Sequence, residues 1–244
     1  MSLRARLHHR LAGHRHTALL ASIVFAFTLR PLLGETAGVA AVFSLAMVVL
    51  LLVAIYAISL DELTGDRERL LARRRRRHVV AWVLAVPAVI ERIVVTFWPN
   101  PRFYLAASVC WMLFLGYVTW VELRSVLEQR QVTGETISMA ISVYLLIGAT
   151  WGLLYYAMFQ VDPQSLSFGQ IVGANADPAQ ALRTELPLFI YFSLATLSTL
   201  GGDITPVSMP ARYAVVAEDI TGQLYLAILV ARLVSMQIGS AEKT

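Results

Sequence analysis

The segment from about Ala37 to Leu60 contains no charged residue. Roughly twenty consecutive apolar residues carry a helix across the hydrocarbon core of a bilayer, so this segment is long enough to span one. Lipid offers no partner to a free backbone N–H or C=O, so such a span must be helical. Five further stretches read the same way: about Thr17 to Leu33, Val79 to Trp98, Phe103 to Leu127, Thr136 to Phe159 and Ala211 to Met236. The first is the weakest, because Arg30 and Pro31 interrupt its outer end. The third carries Pro87 in its middle, and Pro99-Asn100-Pro101 breaks the chain tightly after it. The fourth frays into charge at Glu122 and Arg124. Hydrophobic residues make up 57% of the chain and charged residues 15%, against about 45–50% apolar in a soluble domain. The expected fold class is therefore an all-α membrane protein.

Arginine placement sets the expected orientation. Arg4, Arg6, Arg10 and Arg15 precede the first span; Arg67, Arg69 and the unbroken run Arg73 to Arg77 lie between the second and third. The loops around Gly34 and Asn100 are short and nearly uncharged. The positive-inside rule puts the N-terminus and the Arg run in the cytoplasm, and six crossings return the C-terminus to the same side. The expected location is the cell membrane, as a multi-pass protein. The net charge of +4 is thus an orientation signal, with no nucleic-acid partner expected. The Arg73–Arg77 run also suits anionic lipid headgroups, with a regulatory lipid site or a partner contact as the sharper alternative. His8, His9, His14 and His16 read as part of a solvated basic tail, not a metal site. Cys110 reads as a packing residue, and the N-terminus has no cleavable signal pattern.

Between the fifth and sixth spans the pattern changes. Gln160 to Glu185 is polar and contains Pro163, Gly169, Gly173 and Pro178, which marks a loop. Leu186 to Leu197 is apolar but too short to span, and fits a re-entrant segment. Ser198-Thr199-Leu200-Gly201-Gly202-Asp203-Ile204-Thr205-Pro206 follows directly. Irregular backbone at membrane depth is tolerated only where protein or water surrounds it.

The stretch Thr196-Leu197-Ser198-Thr199-Leu200-Gly201-Gly202-Asp203-Ile204-Thr205-Pro206 resembles the potassium-channel signature, Thr-x-x-Thr-x-Gly-Tyr-Gly-Asp. Asp203 precedes Gly222 by 19 positions, similar to the spacing between the filter Asp and the inner-helix hinge Gly in two-helix bacterial potassium channels. Ala140-Ile141-Ser142-Val143-Tyr144-Leu145-Leu146 and Thr221-Gly222-Gln223-Leu224-Tyr225-Leu226-Ala227 also look like bacterial members of the ion-channel superfamily. The resemblance covers about residues 136–236; over the first four spans it rests on topology alone. It implies a basic N-terminus over 1–16, a four-helix region over 17–131, a pore domain over 132–237 and a short cytoplasmic tail over 238–244. Within the pore domain it implies an outer helix 136–159, an extracellular loop 160–185, a pore helix 186–198, a filter 199–203 and an inner helix 211–236. Thr199, Leu200, Gly201, Gly202 and Asp203 would form the filter; Tyr191, Phe192, Thr196 and Ser198 belong to the pore helix; Gly222 is the hinge. Glu218, Gln223, Leu226, Val230 and Val234 would line the cavity. Four copies would assemble as a homotetramer in a bacterial inner membrane, with potassium, or sodium, as the permeating ion and no cofactor.

Physical chemistry is consistent with that expectation. Rings of backbone carbonyls can replace the water around a dehydrated cation. Aiming successive carbonyls one way requires alternating backbone handedness, which glycine supplies without a Cβ clash. Thr199 adds a side-chain oxygen at the inner entrance, and the C-terminal end of a short helix carries partial negative charge.

The sequence departs from the signature at one place: Gly201 is followed at once by Gly202, with no aromatic between them. One residue of extended chain is worth about 3.3 Å, so a layer of carbonyls is expected to be lost. Adjacent glycines cannot both hold alternate positions in one register, and the missing ring would by resemblance have packed against Tyr191 and Phe192. Three outcomes stay open: a shorter, wider and weakly selective filter; a rebuilt, potassium-preferring one with Leu200 and Ile204 compensating; or a subunit that does not conduct.

Asp203 reads either as one carboxylate of a ring that concentrates cations or as a turn residue. Gly222 reads as a bend point or as a close-packing residue. Glu218 and Asp219, ionisable residues inside a span, read as facing a cavity or as buried contacts to the pore helix or a neighbouring subunit. Glu91 and Arg92 read either as a charge sensor or as an anchoring or pairing feature near the outer interface. No Arg ladder lies between Arg102 and Arg124, so little intrinsic voltage gating is expected. The few residues after the sixth span leave no room for a cytoplasmic ligand-binding domain, which puts gating in the membrane part, lipid, pH or a partner. With no phosphate loop, nucleophile–base set or metal-ligand cluster, the chain is not expected to be an enzyme. The competing class is a channel-derived membrane scaffold or modulatory subunit; a secondary transporter would need broken helices in both halves.

Overall fold

The computed structural model describes residues 15–33, 37–60, 79–90, 101–129, 132–169 and 185–241. These residues form seven helices and one pair of short strands. In chain order they are α1 (Arg15–Leu33), α2 (Ala37–Leu60), α3 (Val79–Ile90), α4 (Pro101–Glu128), α5 (Gly134–Val161), β1 (Leu166–Ser167), α6 (Leu186–Leu197), β2 (Thr205–Pro206) and α7 (Met209–Ala241). Three of the helices, α4, α5 and α7, are long and apolar enough to cross a membrane, which fits a multi-pass membrane protein. They coincide with the fourth, fifth and sixth expected spans. α1 and α2 fall on the first two. Only the first part of the third is described, as α3; Glu91, Arg92 and the Asn100 turn lie outside the described residues. So do residues 1–14, the Gly34 loop, the segment with the Arg73–Arg77 run, residues 170–184 and the last three residues. Arg30 and Pro31 do not break α1, which continues to Leu33; a proline this close to a helix end removes one hydrogen bond and leaves the rest of the turn intact.

The chain divides into two compact units: Met1–Ala85 with Tyr117–Val143 and Arg232–Thr244, and Val86–Gly116 with Tyr144–Ala231. In the first, α1 and α2 lie together, with Leu19, Ile23 and Ala26 of one and Leu50 and Ala54 of the other buried. The start of α1 is tied down by acids. His16 Nδ1 lies 3.0 Å from Glu122 Oε2, with both side chains at most 3% exposed. The His16 backbone N–H donates to Glu135 Oε2 (3.1 Å), and the Thr17 hydroxyl donates to Glu135 Oε1 (2.7 Å). An orphan N–H at a helix start donates well to a carboxylate. His16 therefore does not belong to a solvated tail, and Glu122 is not where α4 frays; each supplies the other's buried partner. α4 runs on to Glu128, where exposed Arg124 pairs with Glu128 at 2.8 Å.

In the second unit the core forms around α6, with Phe189, Ile190, Phe192, Ser193 and Leu197 buried. Pro187 in its first turn suits a helix start, where an N–H would go unsatisfied anyway. Gly148 and Gly152 of α5 let α6 come close: a Cβ on Gly152 would sit 2.8 Å from the Ile190 Cα, and one on Gly148 would collide with Leu194. Small residues four apart are a common device for close helix approach in membranes. Rings finish the packing: Tyr156 and Phe189 centroids are 5.2 Å apart, Phe159 and Phe189 5.3 Å, and Phe159 and Phe168 5.4 Å.

Two contrasts test this packing by thermal unfolding in detergent. Gly152→Ala costs about 1–3 kcal/mol through overpacking, whereas Gly116→Ala, whose Cβ meets Thr150 at an ordinary 3.7 Å, is neutral or stabilising by up to about 1 kcal/mol. His16→Ala removes the partner of the buried Glu122 side chain and costs about 1–3 kcal/mol; Arg124→Ala, in an exposed pair, changes stability by less than about 1 kcal/mol.

Candidate functional site

The candidate site is the turn that ends α6 and the loop beyond it. The Ser198 N–H donates to the Leu194 carbonyl (3.0 Å), the Thr199 N–H to Thr196 (2.8 Å) and the Leu200 N–H to Ala195 (2.9 Å). The last two bonds make a Schellman closure, which demands a left-handed residue after the cap. That residue is Thr199, at φ 56°. Glycine is usual here, and a β-branched residue at positive φ is a conformational outlier. Such strain persists only where its surroundings enforce it.

Gly201 is also left-handed, at φ 71°, while Leu200 and Gly202 are not. Handedness thus alternates from Thr199 to Gly202. As expected of adjacent glycines, only one of the two, Gly201, is left-handed; the other left-handed place is taken by Thr199. A trans peptide sets each C=O opposite the N–H of the next residue. The N–H groups of Thr199 and Leu200 turn back to α6, so the carbonyls of Ser198 and Thr199 point away from it.

The far end of the loop is strapped. Leu166 pairs with Pro206 and Ser167 with Thr205, antiparallel, and the N–H of Val207 donates to the Ser165 carbonyl at 2.9 Å. Ile204 is buried, whereas Thr199, Leu200, Gly201, Gly202 and Asp203 are exposed, Leu200 by 76%. Leu200 and Ile204 therefore face different surroundings. The Asp203 backbone carbonyl lies beside Gly169, 3.3 Å from where a Cβ would stand.

The two aromatic residues of α6 diverge. Tyr191 is half-exposed and its hydroxyl lies 3.6 Å from where a Gly202 Cβ would stand. Phe192 is buried against Tyr155, with centroids 4.9 Å apart. Thr196 and Ser198 sit in the last turn, where the Ser198 hydroxyl returns to the Leu194 carbonyl at 2.7 Å.

On α7 the expected residues separate into two faces. Gln223, Leu226, Val230 and Val234 are exposed. Glu218 is not among them: it is fully buried, accepting a hydrogen bond from the Tyr155 hydroxyl (2.7 Å) and lying against the Ser193 hydroxyl. A cavity-lining place for Glu218 is therefore corrected to an internal tie among α5, α6 and α7. Gly222 is buried where the end of α6 presses on α7; a Cβ there would sit 2.8 Å from both the Leu197 carbonyl oxygen and a Leu197 methyl. α7 runs unbroken through it. Tyr144 and Tyr225, from the two flanking segments singled out in the sequence, meet with centroids 6.1 Å apart.

Tyr155, Ser193, Gly148 and Gly152 were not anticipated. The glycine pair carried a usable signal, two small residues four apart in an apolar run; the Tyr155 and Ser193 partnership with Glu218 did not, because it joins residues 63 and 25 positions away. Among the described residues, no group of three or more His, Cys, Asp or Glu could hold a metal ion.

The loop conformation makes a three-way prediction for thermal unfolding in detergent. Thr199→Gly relieves the left-handed residue and stabilises by about 1 kcal/mol. Gly201→Ala places a Cβ at positive φ and costs about 1–2 kcal/mol. Gly202→Ala, outside the left-handed region and with ordinary space, changes stability by less than about 1 kcal/mol.

Family models, curated proteins and solved structures were compared with this chain, and none of the three comparisons finds a match.

Proposed function

We propose that the chain is a cation-channel subunit of the pore-loop superfamily, in which α6 is a re-entrant pore helix and Thr199–Asp203 is a short filter. Alternating handedness from Thr199 to Gly202, at the end of a helix too short to span, is the observation that carries the reading. Such a backbone can turn successive carbonyls to one side, as a cation that has shed its water requires. Ser198 and Thr199 carbonyls directed away from α6 suit that use. Four copies around one axis supply the four walls, closed by rotational symmetry. Exposed Gln223, Leu226, Val230 and Val234 would line the cavity below, and Asp203 would ring the outer mouth, where carboxylates concentrate cations. Transport is passive, with potassium and other monovalent cations as the permeating ions, and no catalysis is involved. The six-span topology with cytoplasmic termini, and contact of the Arg73–Arg77 run with anionic lipid, belong to the same proposal.

The alternation spans only two left-handed positions, Thr199 and Gly201, which supports a filter shorter than the signature would give and modest discrimination between potassium and sodium. Reconstitution into planar bilayers, with reversal potentials measured under potassium and sodium gradients, tests this. Cation current with a permeability ratio close to one is expected. A reproducible lack of current from assembled protein would overturn the channel reading in favour of a modulatory subunit. Inserting Tyr between Gly201 and Gly202 is expected to raise potassium preference; no change would reject the missing aromatic as its cause.

A further inference from the structure

Glu218 lies wholly inside the protein between three helices. Its Oε2 accepts from the Tyr155 hydroxyl of α5. Its Oε1 and the Gly148 carbonyl oxygen, 2.6 Å away, both lie within reach of one atom, Ser193 Oγ of α6. A hydroxyl has one hydrogen and can donate only once. If Ser193 donates to Gly148, the contact between Oε1 and Oγ needs a hydrogen of its own, and only Glu218 can carry it. The count then closes: Tyr155 O–H to Oε2, Oε1–H to Ser193 Oγ, Ser193 O–H to the Gly148 carbonyl. An ionised carboxylate would leave either Gly148 or Oε1 facing an oxygen with no hydrogen between them, buried where such a loss is costly. Asp219 of α7 and Tyr144 of α5 also lie close enough to feel the Glu218 charge; neither is bonded to the Glu218 carboxyl.

The chain of bonds is placed where it can control the loop. Leu197 lies one helical turn after Ser193, and Gly222 one turn after Glu218. Ser193 meets Glu218, and Leu197 presses its carbonyl on Gly222. Two successive turns of α6 are thus gripped by two successive turns of α7, and the left-handed Thr199 follows two residues later.

We propose that Glu218 is a positioning residue for the loop: as the neutral acid it links Tyr155 to Ser193 and Gly148, fixes where α6 ends, and thereby sets how the loop discriminates between ions. The discrimination part rests on the channel reading above; the bond chain does not.

The test compares wild type with Glu218→Gln, Glu218→Ala and Ser193→Ala, each purified, checked for assembly by size exclusion and reconstituted. Gln keeps an acceptor for Tyr155 and a donor for Ser193, so Glu218→Gln is expected to keep the wild-type potassium-to-sodium permeability ratio. Glu218→Ala and Ser193→Ala break the chain and are expected to shift the ratio by about fivefold, the equilibrium equivalent of one hydrogen bond. Should Glu218→Ala fail to assemble, Ser193→Ala decides. A Glu218→Gln protein as altered as the Ala variant, or an assembled Ser193→Ala protein with the wild-type ratio, would overturn the proposal. Infrared difference spectroscopy supplies a readout independent of current: a protonated-carboxyl C=O stretch is expected in wild type and lost in Glu218→Gln. Its absence from wild type sinks the neutral-acid chain. Absence of wild-type current with that band present sinks the channel reading and its link to ion discrimination, and leaves the bond chain standing.

Discussion

A twelve-residue helix cannot cross a bilayer, so everything that fixes α6 has to come from the helices beside it. In a membrane the hydrophobic effect gives little help, because lipid tails are as apolar as leucine; close packing and hydrogen bonds between helices must do the work. Three glycines meet that need. Gly148 and Gly152 open α5 to the Leu194 and Ile190 side of α6, and Gly222 opens α7 to the Leu197 carbonyl. Each removes the one Cβ that would hold two backbones apart. The hydroxyls of Tyr155 and Ser193 then close on Glu218 from either side, so a fully buried carboxyl lies where the packing is tightest.

The loop inherits its shape from that grip. Because α6 ends in a Schellman closure, its last carbonyls are largely spoken for by Ser198, Thr199 and Leu200 N–H groups, and the chain has to leave through a left-handed residue. Thr199 takes that place against its own preference. The strain is tolerable because both ends of the loop are anchored, one by the closure and the other by the β1–β2 pairing. Gly201 is accounted for in the same way: it continues the alternation that Thr199 begins. Gly202 lies outside the left-handed region, at ordinary contact distance from the hydroxyl end of Tyr191.

Much of the fold was legible in the sequence because hydropathy is a local property. The uncharged run Ala37–Leu60 and the boundaries of Leu186–Leu197 coincide with helices. Charge was legible only as far as its partners were near in the chain. His16 looked like part of a tail because Glu122 and Glu135 lie more than a hundred residues on. Glu218 read either as facing a cavity or as a buried contact to the pore helix; the second is what it makes, but nothing in its neighbourhood named Tyr155 or Ser193 as the partners. The residues of the loop were legible as a group, but their handedness was not: a threonine in the left-handed region is imposed by the hydrogen bonds around it, and propensity argues against it.

The exposed side of α7, with Val216, Ile220, Leu224, Val230 and Val234, invites the idea of a partner, yet an apolar stripe makes a weak case for one in a membrane. Lipid covers such a stripe as readily as protein does. The loop makes the stronger case. Thr199 to Asp203 expose peptide groups beyond the end of an apolar helix, and lipid cannot satisfy peptide groups. On the proposed reading they meet water and ions inside a ring of identical loops, a setting at membrane depth in which irregular backbone is tolerated. On that reading the exposed polarity of the loop, more than the apolar stripe of α7, is what favours assembly.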